Sequence, residues 1–482
     1  MSAPTRTTNR WLALAVLSLT QLVVVLDGTI VNIALPQAQL ELGLSDVERQ
    51  WVVTAYALAF GALLLLGGRV ADYWGRKRTY LVGMIGFGAA SAFGGFAQSG
   101  GELIVARGLQ GIFAALLAPA ALALLTVTFP SGKDRNTAFA VFGTIAGTGA
   151  AIGLLLGGAL TEFADWRWCL WVNVVFVIVG LIGGLLYLAE SKADGDNRYD
   201  VVGAITVTLG LGSLVYGFSL AENGWGSANT IGFLALGAGL LVLFVWIEAR
   251  VAQPLLPLRV VTNRVRGGAF LIQAVVGAVM IGAMLYLTFH LQIVLGMAPF
   301  QSGLATLPLT LSIMVTAPFA TKLLPVVGPR PLLIGGPLLV AAALVYLSFI
   351  TAGGDYFVQV LPALILMGFG MGFVFVPLQN LALSGVEPRD AGAASATANS
   401  ALQIGGSIGL SIFTAIYAAT AGPTDGLQGA PLFEAFASGY SAAFLAAAVS
   451  MVVASIIATA LIRGPKDRLL PQGDAPVAVH AG

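Results

Sequence analysis

Long apolar blocks alternate with short polar breaks along the whole chain. The blocks centre on residues 11–34, 50–68, 79–97, 103–127, 137–160, 168–189, 201–220, 230–249, 267–291, 302–322, 331–350, 357–378, 396–419 and 440–462. A helix that spans the hydrocarbon of a bilayer needs roughly 20 mostly apolar residues, and each block supplies about that many. Backbone polar groups have no water to bond inside the bilayer, so such blocks are read as helices. The pattern predicts an all-α polytopic membrane protein with about fourteen transmembrane helices. The first block, Trp11 to Leu35, is too long for the apolar region of a cleavable signal peptide and contains Asp27.

Composition agrees. Of 482 residues, 58% are hydrophobic and 9% charged, and the mean hydropathy is +0.91; soluble domains carry roughly 25% charged residues. The net charge of +1 leaves no excess of Lys and Arg to neutralise phosphates, which argues against a nucleic-acid partner. One cysteine, Cys169, excludes an internal disulfide and a multi-cysteine metal site. With His290 and His480 far apart as the two histidines, no metal and no cofactor is expected.

The basic residues choose an orientation. An even number of helices puts both termini on one side. With that count, every Lys and Arg except Arg49, Arg107 and Arg167 falls at the end of the molecule that carries the termini. The positive-inside rule then makes both termini cytoplasmic.

The stretch from Gly43 to Gly83 echoes that from Gly296 to Gly336 without gaps. One constant offset pairs Gly43 with Gly296, Arg69 with Lys322, Gly75 with Gly328, Lys77 with Arg330 and Gly83 with Gly336. Parallel repeats are how many transporters build two halves around a midplane site; the competing reading is chance similarity between Gly-rich helix hairpins. Six helices fill each half and two are left over. The expected division is a tail at 1–10, a six-helix bundle at 11–190, a two-helix insert and linker at 191–260, a second six-helix bundle at 261–463 and a tail at 464–482.

Asp27 is the most informative residue. It lies inside the first apolar block, where a carboxylate costs several kcal/mol unless it is paired, hydrated or protonated. Arg107, in the fourth block, is a partner by depth. Helix rise places Asp27 roughly 24 Å above Trp11 and Arg107 about 8 Å below the opposite surface, so both fall in the outer half of the membrane. A neighbouring guanidinium and desolvation act in opposite directions on a carboxylate's proton affinity. A site alternating between wet and closed would therefore switch Asp27 between proton-bound and free. The competing reading is a fixed ion pair that ties two helices together.

Three local patterns resemble a known family. Gly68-Arg69-Val70-Ala71-Asp72-Tyr73-Trp74-Gly75-Arg76-Lys77-Arg78 resembles the loop signature of the major facilitator superfamily. Leu26-Asp27-Gly28-Thr29-Ile30-Val31-Asn32-Ile33-Ala34-Leu35-Pro36 is similar to the first-helix signature of its fourteen-helix drug:proton antiporter branch, the multidrug and antibiotic exporters. Ala106-Arg107-Gly108-Leu109-Gln110-Gly111 matches the fourth-helix signature of proton-coupled members. The resemblance extends over nearly the whole chain, with Gly296 to Pro308 and Gly392 to Gly409 also typical of that branch.

The resemblance implies more than the residues alone. It makes Arg69, Asp72, Gly75, Arg76, Lys77 and Arg78 a gating loop, in which Asp72 bonds across to the second half and latches the cytoplasmic side in the outward-open state. The second copy has Pro325 in place of Asp72, so such a latch is one-sided. For the basic cluster alone, a purely topogenic role explains the sequence equally well. The fifth block carries Gly149, Gly153, Gly157 and Gly158, which put small residues on one helix face and permit close packing. These resemble the antiporter signature of exporters, with Leu154 where the family has proline. Asn32, Gln273, His290, Asn399 and Gln403 are candidates to line the cavity, or to bridge helices. His290, near a helix end, is expected to be solvated.

These features predict proton-coupled export of small amphipathic or cationic molecules, drugs or antibiotics among them, by alternating access in the cell membrane. The partners would be the substrate, protons and the bilayer, with the chain a monomer. No nucleophile–base pair, metal set or Gly-rich ATP-binding loop is visible, so no enzyme is expected. Two alternatives fit the same sequence: a lipid or glycolipid flippase of the same fold, and a non-transporting membrane sensor.

Overall fold

The structure, a computed structural model, describes residues 9–130, 132–192, 200–221, 224–386, 390–424, 426–464 and 469. Most of the two expected tails, together with Arg198 and Arg389 of the basic set, lies outside the described residues.

Every apolar block forms a helix. In chain order these are α1 (Arg10–Leu42), α2 (Asp46–Trp74), α3 (Arg76–Gly95), α4 (Gly100–Thr128), α5 (Lys133–Phe163), α6 (Trp168–Tyr187), α7 (Val201–Leu220) and α8 (Ala228–Glu248). The short α9 (Leu258–Val261) leads to α10 (Arg264–Phe289), which continues as a π-turn through Val294. Then come α11 (Pro299–Val327), α12 (Pro329–Leu347), the short α13 (Tyr356–Gln359), α14 (Leu361–Leu383), α15 (Ala391–Ala421) and α16 (Ala430–Leu461). No strand occurs among the described residues. Thirteen of these helical segments are long and apolar enough to cross a membrane. The remaining expected span is α3, whose opening Arg76-Lys77-Arg78 and several glycines leave it less apolar than the others.

Local chemistry sets the boundaries. Ser45 and Glu48 form a reciprocal capping box that starts α2. Gly43 (φ 64°) ends α1 in the left-handed region, and Gly296 (φ 63°) takes up the same backbone conformation at the matching place in the second copy. The repeat reaches the helix limits themselves. The offset that pairs Gly43 with Gly296 carries both ends of α2 onto those of α11, and the start of α3 onto that of α12.

Helices α1–α6 pack mainly on one another, as do α10–α16. The two bundles meet where α2 packs on α15 and α5 on α11. The α7–α8 hairpin lies over the first of these seams: Leu58 and Ala62 of α2 cluster with Leu211 and Val215 of α7, and Ile404 and Ile408 of α15 pack against them.

Close contacts between bundles gather at the end opposite the termini. Gln50 Nε2 donates to Ser411 Oγ (2.5 Å), Gln292 Nε2 to the Ile33 carbonyl (3.0 Å), and the Phe300 amide to Glu162 (2.9 Å). Glycines let the backbones meet there: a Cβ on Gly303 would lie 2.6 Å from the Leu154 carbonyl oxygen, and one on Gly158 would lie 2.7 Å from Phe300 Cα. Toward the termini the arrangement loosens. Lys133, Thr137, Ala140, Val141 and Thr144 of α5 border an open groove.

Candidate functional site

Asp27 sits midway along α1 and is fully buried, and Arg107 of α4 is 2% exposed. Arg107 Nη1 donates to Asp27 Oδ2 at 2.6 Å. The other carboxylate oxygen, Oδ1, accepts from Gln110 Nε2 (2.9 Å) and from Asn173 Nδ2 of α6 (2.7 Å). Gln110 is itself held on both sides, accepting from Arg107 Nη1 (2.9 Å) and donating to Ser91 Oγ of α3 (2.8 Å). Arg107 Nε reaches the Val52 carbonyl of α2 (3.2 Å), and its guanidinium lies 4.4 Å from the centre of the Tyr56 ring. Tyr56 in turn donates to the Val24 carbonyl of α1 (3.2 Å).

Five helices of the first bundle thus converge on one carboxylate. The site's partners all come from that bundle. In this conformation the carboxylate and the Arg107 guanidinium are enclosed among α1, α2, α3, α4 and α6. Burial and pairing explain how it can reside there, since an unpaired charge at this depth would be costly.

The loop residues form a second cluster at the termini end. Arg76 Nε and Nη2 both donate to Asp72 Oδ1 (3.1 and 2.8 Å), one helical turn away. In this conformation Asp72 is therefore held within its own segment. Gly75 (φ 130°) opens α3, and a Cβ there would lie 2.8 Å from Glu190 Oε1. The reason is that Glu190, beyond the end of α6, caps α3: its oxygens accept from the Lys77 and Arg78 amides (both 3.1 Å). An anion at a helix N-terminus meets free N–H groups and the positive end of the dipole. The Lys77 ammonium donates to the Leu185 and Leu188 carbonyls (3.0 and 2.7 Å). Arg69 joins Tyr73 Oη and the Pro254 carbonyl of the linker.

The other sequence candidates disperse. Gly149, Gly153 and Gly157 face Val25, Thr29 and Ile30 of α1, while Gly158 faces α11. Asn32 donates to the Gly28 carbonyl of its own helix (3.5 Å). Gln273 is buried on α10, and Asn399 and Gln403 are half-buried on α15, where Gln403 lies against Gly61. His290 is not solvated as expected but fully buried. The π-turn carries the helix past it, and Tyr440 stands edge-on at 6.3 Å.

Gln110, Asn173, Ser91, Tyr56 and Glu190 were not singled out in the sequence. Gln110 had a signal, because it lies three residues beyond Arg107 and so shares its helix face. Asn173 had another: it is an amide inside an apolar block, and such groups seldom persist in a bilayer without a partner.

Comparison with known proteins adds the family context. Residues 17–410 match the family model described as Major Facilitator Superfamily. Over 475 residues, 97% of this chain and 94% of the relative, the chain is 44% identical to a puromycin resistance protein of Streptomyces alboniger. It is 36% identical to a cephamycin export protein of Amycolatopsis lactamdurans, covering 95% of this chain and 93% of the relative. Among solved structures, a bacterial homolog to the human lysosomal transporter Spinster superposes with a TM-score of 0.65 at 19% identity, covering 98% of this chain and all (100%) of that one.

Proposed function

Because the chain belongs to the Major Facilitator Superfamily, and is therefore a multi-span membrane transporter and not an enzyme, we propose that it exports small amphipathic or cationic molecules, antibiotics among them, in exchange for protons. The two bundles are the halves of an alternating-access machine in the cell membrane. Both termini are cytoplasmic, as the distribution of basic residues implies. In that orientation the crowded end, with Gln50 on Ser411 and Gly303 on Leu154, is extracellular. Full-length relatives named for antibiotic resistance and export support the substrate class.

The observation that carries the proton-coupled reading is the buried Asp27 carboxylate with Arg107 on one oxygen and two neutral amides on the other. These four side chains come from three helices, so their geometry depends on how α1, α4 and α6 sit relative to one another. A shift among them that separates Arg107 from Asp27 leaves an uncompensated buried charge, which is relieved by binding a proton. The outward return of the proton-free site then requires the pair to re-form. Each proton charge moved inward supplies about 2.3 kcal/mol per 100 mV of membrane potential. Gating by Asp72 and the basic loop belongs to the other half of the cycle, when the cytoplasmic side closes.

The test is purified protein in vesicles with an imposed pH gradient and puromycin as probe. Puromycin-dependent proton release that Asp27→Asn abolishes supports antiport. Scrambling of lipid independent of pH would favour the flippase, and absence of flux for puromycin and a panel of cationic dyes would favour the sensor.

A further inference from the structure

Arg49 is one of the three basic residues that lie away from the cytoplasmic end, and although it stands at the extracellular end it is 3% exposed. It belongs to the first turn of α2, where Nη1 pairs with Asp46 Oδ1 (2.8 Å) and reaches Gln39 Oε1 (3.4 Å). The guanidinium itself crosses into the second bundle. Its central carbon lies 4.5 Å from the centre of the Phe289 ring, 5.4 Å from that of Tyr417 and 6.0 Å from that of Tyr286. Nε and Nη2 have no hydrogen-bond acceptor among the described residues. What faces them is aromatic.

The rings are built as a unit. Tyr286 stacks on Tyr417 at 5.4 Å, and Tyr417 stacks on Tyr440 at 5.4 Å with 13° between planes. Tyr286 is fixed by its bond to Thr414 (2.7 Å). Two helices of the second bundle, α10 and α15, therefore supply the rings around the guanidinium, and Tyr440 of α16 backs them, a cage of the kind that holds soft cations such as guanidinium and quaternary ammonium. The next residue along α2, Gln50, makes the 2.5 Å bond to Ser411 in the same seam. The cation and its acid counter-ion sit on one half, the rings on the other.

We propose that the Tyr286–Phe289–Tyr417 cage is a cation site of the second half, occupied by Arg49 as a tethered ligand, and that this contact is the extracellular latch of the transport cycle. It rests on the alternating-access reading above and names the residues that hold one side shut. Arg49 must leave the cage whenever the halves part at this end. Because Asp46 moves with it, the guanidinium keeps its counter-ion as it swings away. The latch is thus a cation moving between rings and water with its charge balance intact.

The experiment measures distance across the extracellular end. In the full chain carrying Cys169→Ser, spin labels are placed on cysteines at the exposed positions Leu40 (end of α1) and Phe357 (α13). After reconstitution, Arg49→Ala is expected to raise the open-to-closed ratio at this end by about tenfold, the scale set by a desolvated cation–π contact. Phe289→Leu, which removes the nearest ring but keeps an apolar side chain, is expected to act in the same direction and carries the test if Arg49→Ala does not fold. Arg49→Lys keeps a cation and should fall between. Distance distributions unchanged in both Arg49→Ala and Phe289→Leu overturn the latch. That outcome is separable from failure of the transport reading. Puromycin-dependent proton release in the parent would show the exchange intact without the latch, whereas distances shifted in a protein that releases no protons would keep the latch and sink the exchange.

Discussion

Asn173 donates to Asp27 Oδ1 at 2.7 Å, nearly as short as the 2.6 Å ion pair that Arg107 makes with the other oxygen. The two donors come from different helices, α6 and α4, and grip one carboxylate of α1 from both sides. Asp27 is therefore a junction of the first half as well as its charge.

Removing the amide should be felt in the fold. Asn173→Leu leaves Oδ1 with Gln110 as its remaining donor, and a hydrogen bond to a charged group is worth about 1.5–3 kcal/mol. Thermal unfolding in detergent should show a loss of that order, and proton release per puromycin exported should fall with it.

Arg107→Ala should be far worse than its removal together with the acid. Breaking one side of a buried pair costs about 3–5 kcal/mol because the other charge is stranded. Asp27→Asn combined with Arg107→Gln should unfold at a higher temperature than Arg107→Ala alone, while remaining inactive in exchange. Equal melting temperatures would mean that the pair is not coupled.

The glycine face of α5 should be intolerant where α1 presses on it. A Cβ on Gly157 would lie 2.8 Å from the Ile30 carbonyl oxygen, and backbone does not yield cheaply. Gly157→Ala should cost about 1–3 kcal/mol, the range for overpacking. Gly239→Ala in α8, where nothing lies within 4 Å, should be neutral or stabilising by about 0.4–1 kcal/mol. Melting curves of the two variants, measured side by side, check the contrast.

Glu190→Ala should fray the start of α3. Its carboxylate caps the Lys77 and Arg78 amides, and loss of such a cap costs about 0.5–2 kcal/mol. Hydrogen exchange at those two amides should accelerate, with exchange in the middle of α3 unchanged.

Much of this architecture is visible in the pattern of residues alone. Apolar block length located the helices, and the offset between Gly43 and Gly296 carried the repeat to the ends of α2 and α11. Depth along the helices pairs Asp27 with Arg107. What depth does not show is which way a side chain turns. Asp27 turns out to be enclosed by side chains of its own bundle, and His290 is buried although it lies near a helix end. Glu190 leaves no local signal, because its cap joins residues more than a hundred positions apart. Arg49 did leave a trace, as a basic residue at the wrong end, but the rings that explain it belong to the other half of the chain.

The hairpin of α7 and α8 lies across the α2–α15 seam, with Trp51 of α2 against Tyr216 of α7 at 6.2 Å. An oily guest that dissolves in the bilayer before it is captured thus finds that flank boarded over. Of the two seams between the bundles, the extra helices therefore roof the α2–α15 seam and leave the α5–α11 seam without such a cover.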